Sequence, residues 1–249
     1  MRARSMEEQP LRITPDMVLS RRVDFERRMR RLPPLTLALI GVLSAVYAAE
    51  VATVGLDRPE AIVALGALDA GAVAAGEYWR LLSATFLHGG FEHLVSNAVA
   101  LFILGMICEH AFGRGQFLVL YVLSGLAGSV VSLLSGAAPS VGASGAIFGL
   151  QGAAIVLFRR HRDRLLMRDR RIGVVLLVWA IYAIAAGIVT PYVDNGAHIG
   201  GLAAGALLGR RLHPVVLEPM PPATAARVRR RVWVVGALLA YTAVGWLLR

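Results

Sequence analysis

The sequence predicts an all-α fold, a polytopic helical membrane bundle, on three observations. The 249 residues are 57% hydrophobic with a mean hydropathy of +0.63, more apolar than a soluble domain of this size. Apolar stretches recur at about 35–56, 93–112, 116–136, 144–158, 173–190, 196–212 and 232–248. Most are close to the roughly 20 residues that a helical span needs, and all are too long and continuous for barrel strands. The third observation is the placement of charge. All 26 basic residues are arginines, and they gather in blocks of nine (2–31), seven (159–171) and six (210–231) between the apolar runs. A net charge of +10 would suit nucleic acid, but this segregation is that of cytoplasmic loops under the positive-inside bias. We therefore expect no nucleic-acid partner, with membrane lipid as the surroundings.

Residues 1–34 read as a basic, solvated cytoplasmic tail ending at Pro33-Pro34. No cleavable signal peptide is evident, since the first apolar run begins beyond residue 33 and is long enough to span. With the tail inside, seven spans leave 23 arginines inside and only Arg58, Arg80 and Arg249 outside. An even number of spans would put an arginine block outside. The outer loop 57–92 is too rich in Ala, Leu and Val to hang in water. It is expected to lie in the interface as short helices, with Tyr78 and Trp79 at headgroup depth. Spans one to six form a core over 35–212; 213–249 is a cytoplasmic linker and a seventh span. Cys108, the single cysteine, excludes a disulfide within the chain.

Polar residues inside such spans mark functional sites, because hydrocarbon penalises them. Ser144 opens span four, His198 opens span six, and His93 and Asn97 open span two. All three spans run from outside to inside, so these four residues share one depth. From Ser144 to Arg159 is 15 residues, or roughly 22 Å at about 1.5 Å per residue. Against a core of about 30 Å, Ser144 then lies roughly 8 Å beneath the outer boundary, in a cavity that must hold water.

A serine hydroxyl with imidazole as its base is the minimum machinery for nucleophilic hydrolysis. His93 and Asn97, four apart on one helical face, could form an oxyanion hole with the backbone N–H of Ser144. Asp194 reads as a turn or cap, which leaves a Ser–His dyad. Phe148, one turn below Ser144, could pack against the imidazole or simply fill the core. Gly145, Gly149 and Ala153 on span four, and Gly201, Gly205 and Gly209 on span six, recur every four residues and let two helices approach closely. His88, Glu92 and His93 lack the spacing of a helical metal site. A transporter is disfavoured by the lack of a mid-span acid or arginine and of an inverted repeat.

These residues resemble the rhomboid family of intramembrane serine proteases. Gly142-Ala143-Ser144-Gly145 is similar to the family's nucleophile motif, Ala197-His198 with Gly201 and Gly205 to its base-bearing span, and His93-Leu94-Val95-Ser96-Asn97 to its H-x-x-x-N oxyanion segment. Tyr78-Trp79-Arg80 resembles the first-loop motif, and Gly105-Met106-Ile107-Cys108-Glu109 a structural G-x-x-x-E. His88 matches a supporting histidine, and Phe148 stands where the family places a ring against the base. The resemblance covers about 35–212, and span 232–248 is similar to the extra helix of the six-plus-one subgroup. It implies cleavage of single-span transmembrane protein substrates near the outer face, with a preference for a small residue before the cut and a helix that unwinds easily. It implies no metal and no cofactor. Movement of span five or of the overlying loop, where Gly187 and Pro191 lie, would admit substrate. It implies a multi-pass protein, here placed in a bacterial cytoplasmic membrane, and leaves the oligomeric state open. A catalytically inactive member that only binds membrane proteins is the alternative.

Overall fold

The computed structural model describes residues 22–53, 59–136 and 139–248. Its helices are α1 (Phe25–Arg28), α2 (Pro34–Thr53), α3 (Pro59–Ala64), α4 (Ala70–Ala74), α5 (Arg80–Ser83), α6 (Phe91–Phe112), α7 (Arg114–Leu134), α8 (Ser144–Arg160), α9 (Met167–Val189), α10 (Asn195–Gly209) and α11 (Pro222–Leu247). Among the described residues there is no β-strand, only two isolated bridges. Seven of the helices are long, one for each apolar run. Four of them, α2, α6, α7 and α9, are long and apolar enough to cross a membrane by themselves. Helices α9 and α11 begin earlier than the apolar runs suggest, because Arg168, Arg170, Arg171 and Arg227–Arg231 continue the helix. Arginine is a good helix former whose long side chain reaches water from the helix end.

The short helices are the informative ones. α8 has 17 residues and α10 has 15, about 25 and 22 Å at about 1.5 Å per residue. Both run toward the arginine-rich end of the bundle, where α8 closes on Arg159 and Arg160 and α10 is followed by Arg210 and Arg211. Both are shorter than a hydrocarbon core of about 30 Å.

Glycines set how close these two helices come. A Cβ on Gly201 would collide with the carbonyl of Gly145, one on Gly205 with the carbonyl of Gly149, and one on Gly209 with Ala153. Helix α7 closes the third side: a Cβ on Gly128 would lie 2.9 Å from the Ala197 carbonyl, and one on Gly149 would overlap Ser124. α10 packs most extensively on α8 and α7.

Long-range caps fix the remaining helices. Glu109 of α6 accepts hydrogen bonds from the backbone N–H of Leu35 (3.1 Å) and of Thr36 (2.8 Å), and from the Thr36 hydroxyl (2.8 Å). It thereby satisfies the open N-terminus of α2. Residues 22–33 are largely exposed but anchored at Phe25. Phe25 is fully buried, edge-on to Phe158 at 5.1 Å, and its N–H donates to Asp169 at 3.0 Å. Burial of one aromatic ring is enough to dock this segment at the foot of α9. Beside it, the Arg27 backbone N–H and the Arg168 guanidinium hold the Asp24 carboxyl below its ordinary range. Residues 1–21 of the expected tail lie outside the described residues.

The expected short helices of the outer loop are α3, α4 and α5. Tyr78 is exposed, whereas Trp79 is buried within the protein. The Trp79 ring fills the space a Cβ would need at Gly66 and Gly245, and the Arg80 guanidinium sits 4.8 Å from its centroid. Helix α11 thus covers the ring that the sequence alone leaves uncovered.

Candidate active site

Ser144 is the first residue of α8. The chain reaches it through Gly142, whose φ of +129° is a region open chiefly to glycine. The N–H groups of that first turn have no carbonyl four residues back. His198 lies one turn into α10, whose start is fixed by Asp194. The Asp194 carboxylate accepts from the Ala197 N–H at 2.8 Å and from the Ser132 hydroxyl of α7. The acid is therefore a cap, as its position before the helix suggests.

Across the glycine seam, the Ser144 Oγ and His198 Nε2 are 3.0 Å apart. The other ring nitrogen, Nδ1, is buried with no hydrogen-bond partner. Phe148 stacks on the imidazole with ring centroids 4.2 Å apart and planes 17° from parallel. A ring that lacks an orienting acid is here held flat by an aromatic face.

His93 and Asn97 flank the same turn of chain. A Cβ on Gly142 would sit 2.7 and 2.8 Å from the His93 ring and 3.7 Å from the Asn97 amide nitrogen. Asn97 is buried, and its Nδ2 finds no partner. An unspent amide donor beside a free helix N-terminus is suited to a developing negative charge. Behind Ser144 lies a cavity of about 20 Å³, room for a single water.

A family model described as "Rhomboid domain" matches residues 75–215. The chain is 40% identical over 151 residues to Rhomboid protease GluP of Bacillus subtilis (strain 168), an alignment covering 61% of this chain and 29% of that protein. It is 43% identical over 148 residues to RHOMBOID-like protein 5 of Arabidopsis thaliana, covering 58% and 47% respectively. With Putative rhomboid protease YdcA of B. subtilis (strain 168) it shares 32% identity over 138 residues, 55% of this chain and 68% of that one. The chain belongs to the rhomboid family.

Rhomboid membership, together with the apolar helices, makes this an integral membrane protein. The chain spans half or less of the length of the first two relatives. Within the rhomboid domain the other anticipated residues take supporting places. His88 is fully buried, 5.2 Å from the His93 ring, and its N–H donates to Glu50 at 3.3 Å. Burial, and then the neighbouring His93, push its pKa down to about 4, so it is a neutral wall behind His93. Arg80 does not reach the Ser144–His198 pair. It donates to Glu77 at 2.6 Å and to the carbonyls of Val63 and Ala67, tying the outer loop together. Gly201 touches α8 directly beneath the pair.

Two contributors escaped the sequence reading. Ser132 holds the capping acid, and Glu50 receives the His88 N–H. For the first a signal existed: Ser124, Gly128 and Ser132 form a small-residue stripe at spacing four on α7, matching those on α8 and α10. Glu50 offered only its presence near the end of an apolar run.

Proposed function

We propose that this chain is an intramembrane serine endopeptidase working through a Ser144–His198 dyad. The observation that carries the reading is the 3.0 Å contact between Oγ and Nε2, bordered by the unspent Asn97 amide. Ser144 Oγ attacks the carbonyl carbon of the scissile peptide, and His198 Nε2 takes its proton. The oxyanion so formed is held by the Asn97 amide, the His93 ring and the Ser144 backbone N–H. Collapse breaks the C–N bond, and His198 returns the proton to the leaving amine. Water then enters, loses a proton to His198 and attacks the acyl-serine. The tetrahedral intermediate expels Ser144, which regains the proton, and the acid product leaves.

The substrates in this reading are transmembrane proteins cut near the outer face, with the arginine-rich end of the bundle in the cytoplasm of a bacterial cell. Residues 35–212 form the protease core, and 213–249 add a linker and the seventh span. Reconstitution into liposomes with a single-span reporter substrate tests it. The unmodified chain yields two fragments, while Ser144→Ala and His198→Ala yield none. Cleavage by both variants would refute the dyad. Capture of the reporter uncut by all three would make the chain a binding protein instead.

A further inference from the structure

At the arginine-rich end a cavity of about 290 Å³ opens between the foot of α8, the α10–α11 connection and the first turns of α11. Arg160, Arg210, Arg211, Arg227 and Arg231 line it, and Glu218 is the one carboxylate among its lining residues. That carboxylate is already engaged, by Arg164 at 3.3 Å and by His213. Among the described residues, no carboxylate pairs with any of the five lining arginines. Positive-inside bias accounts for arginines on this side of the membrane, but not for five converging on one concavity from three separate segments.

The frame is built rather than loose. The Gln116 side chain donates to the carbonyls of Phe112 (2.7 Å) and His213 (2.8 Å), and its oxygen accepts the His213 N–H at 2.9 Å. The Val216 N–H donates to Ala111 at 3.2 Å. Arg160 reaches across to the Arg210 carbonyl at 2.9 Å. The connection is thus pinned to α6, α7 and α8, so Arg210 and Arg211 issue from a fixed backbone. Burial, followed by Arg160 and Arg164, lowers the pKa of the neighbouring His161.

We propose that this cavity binds a phosphoryl group. Guanidinium forks match phosphate oxygens two at a time, which a lone carboxylate cannot exploit from several directions. With the arginine-rich end in the cytoplasm, as proposed above, the site lies where helix ends meet lipid headgroups, and basic pockets between spans there take phosphorylated headgroups. A soluble phosphate presents the same chemistry. Either ligand bridges α8, the connection and α11, and so fastens the seventh helix to the core.

Native mass spectrometry of the full chain in neutral detergent tests this without reference to proteolysis. The probes are dioleoyl phosphatidic acid, oleate and inorganic phosphate. We expect one tight phosphatidic acid adduct, weakened about tenfold or more by the double variant Arg211→Gln/Arg231→Gln. The equally charge-reducing pair Arg159→Gln/Arg171→Gln, outside the cavity, leaves it unchanged. Displacement by millimolar inorganic phosphate marks a soluble phosphate as the ligand, and its failure to displace marks a lipid. Oleate binding as tightly, or equal weakening by both double variants, overturns the proposal, since unspecific charge then explains the adduct.

Discussion

Helices α8 and α9 are consecutive in the chain and touch, yet the bilayer meets them in opposite ways. In α8, 13 of the 17 residues are buried. In α9 only Asp169, Gly173, Leu176 and Ala180 are, and Val174, Val175, Val178, Ile181 and Tyr182 face outward. α8 is locked to α10 by backbone against backbone. α9 is held by the Gln151 side chain on the Leu176 carbonyl (2.9 Å), the Asn195 side chain on the Ile184 carbonyl (3.1 Å), and Gly173 fitted under Phe158. The difference teaches how a membrane protein can hold two side chains to within a hydrogen bond beside a helix that turns most of its surface outward. Precision resides in the glycine seam, and the helix beside it is lightly attached.

The sharpest way to break this contrast is to add atoms to the seam. Gly205→Val pushes a side chain into the Gly149 backbone, which has no rotamer to yield. We expect a loss of about 3 kcal/mol or more, or no folded protein, by unfolding in mixed micelles. A cost below about 1 kcal/mol would mean that the seam is not rigid. A second measurement probes whether the wall behind the seam is dry. His88 stays neutral in the fold down to pH about 4, while in the unfolded chain it protonates below its ordinary 6.5. The unfolded state therefore binds the extra proton between those values. Stability is complete above pH 6.5 and falls as the pH drops toward 4, by something on the order of 3 kcal/mol. Unfolding followed across that window shows the decline, and His88→Gln makes it shallower.

Asn97→Ala comes next. It removes one donor and should lower turnover about 10²-fold with little change in KM or unfolding; an unchanged rate would remove Asn97 from the mechanism. The smallest effect belongs to α9. Val178→Ala, on its outward face, should shift stability by no more than about 0.5 kcal/mol. A cost like that of Gly205→Val would show that α9 is packed as firmly as α8, and the contrast would fail.

The bundle was legible because its determinants are local or one-dimensional: apolar length, arginine blocks and glycines every fourth residue. The candidate pair was legible for the same reason, since Ser144 and His198 both lie in the first turns of helices that run the same way. What escaped depends on contacts between distant segments. Nothing near Trp79 announces that α11 will cover it, and nothing near Phe25 reveals Phe158 as its neighbour. Glu50 falls late in an apolar run, and only the fold sets it against the backbone of His88. Ser132 looks like packing filler until Asp194 arrives from 62 residues further along.

That pairing of Ser132 with Asp194 has a consequence for the imidazole. An α-helix turns about 100° per residue, so a start displaced by a single position would swing the His198 ring about a third of a revolution around the axis and away from its serine. The carboxylate touches neither reacting group. It sets the clock hand from which the angular position of the base is counted, and α7 keeps that hand from slipping.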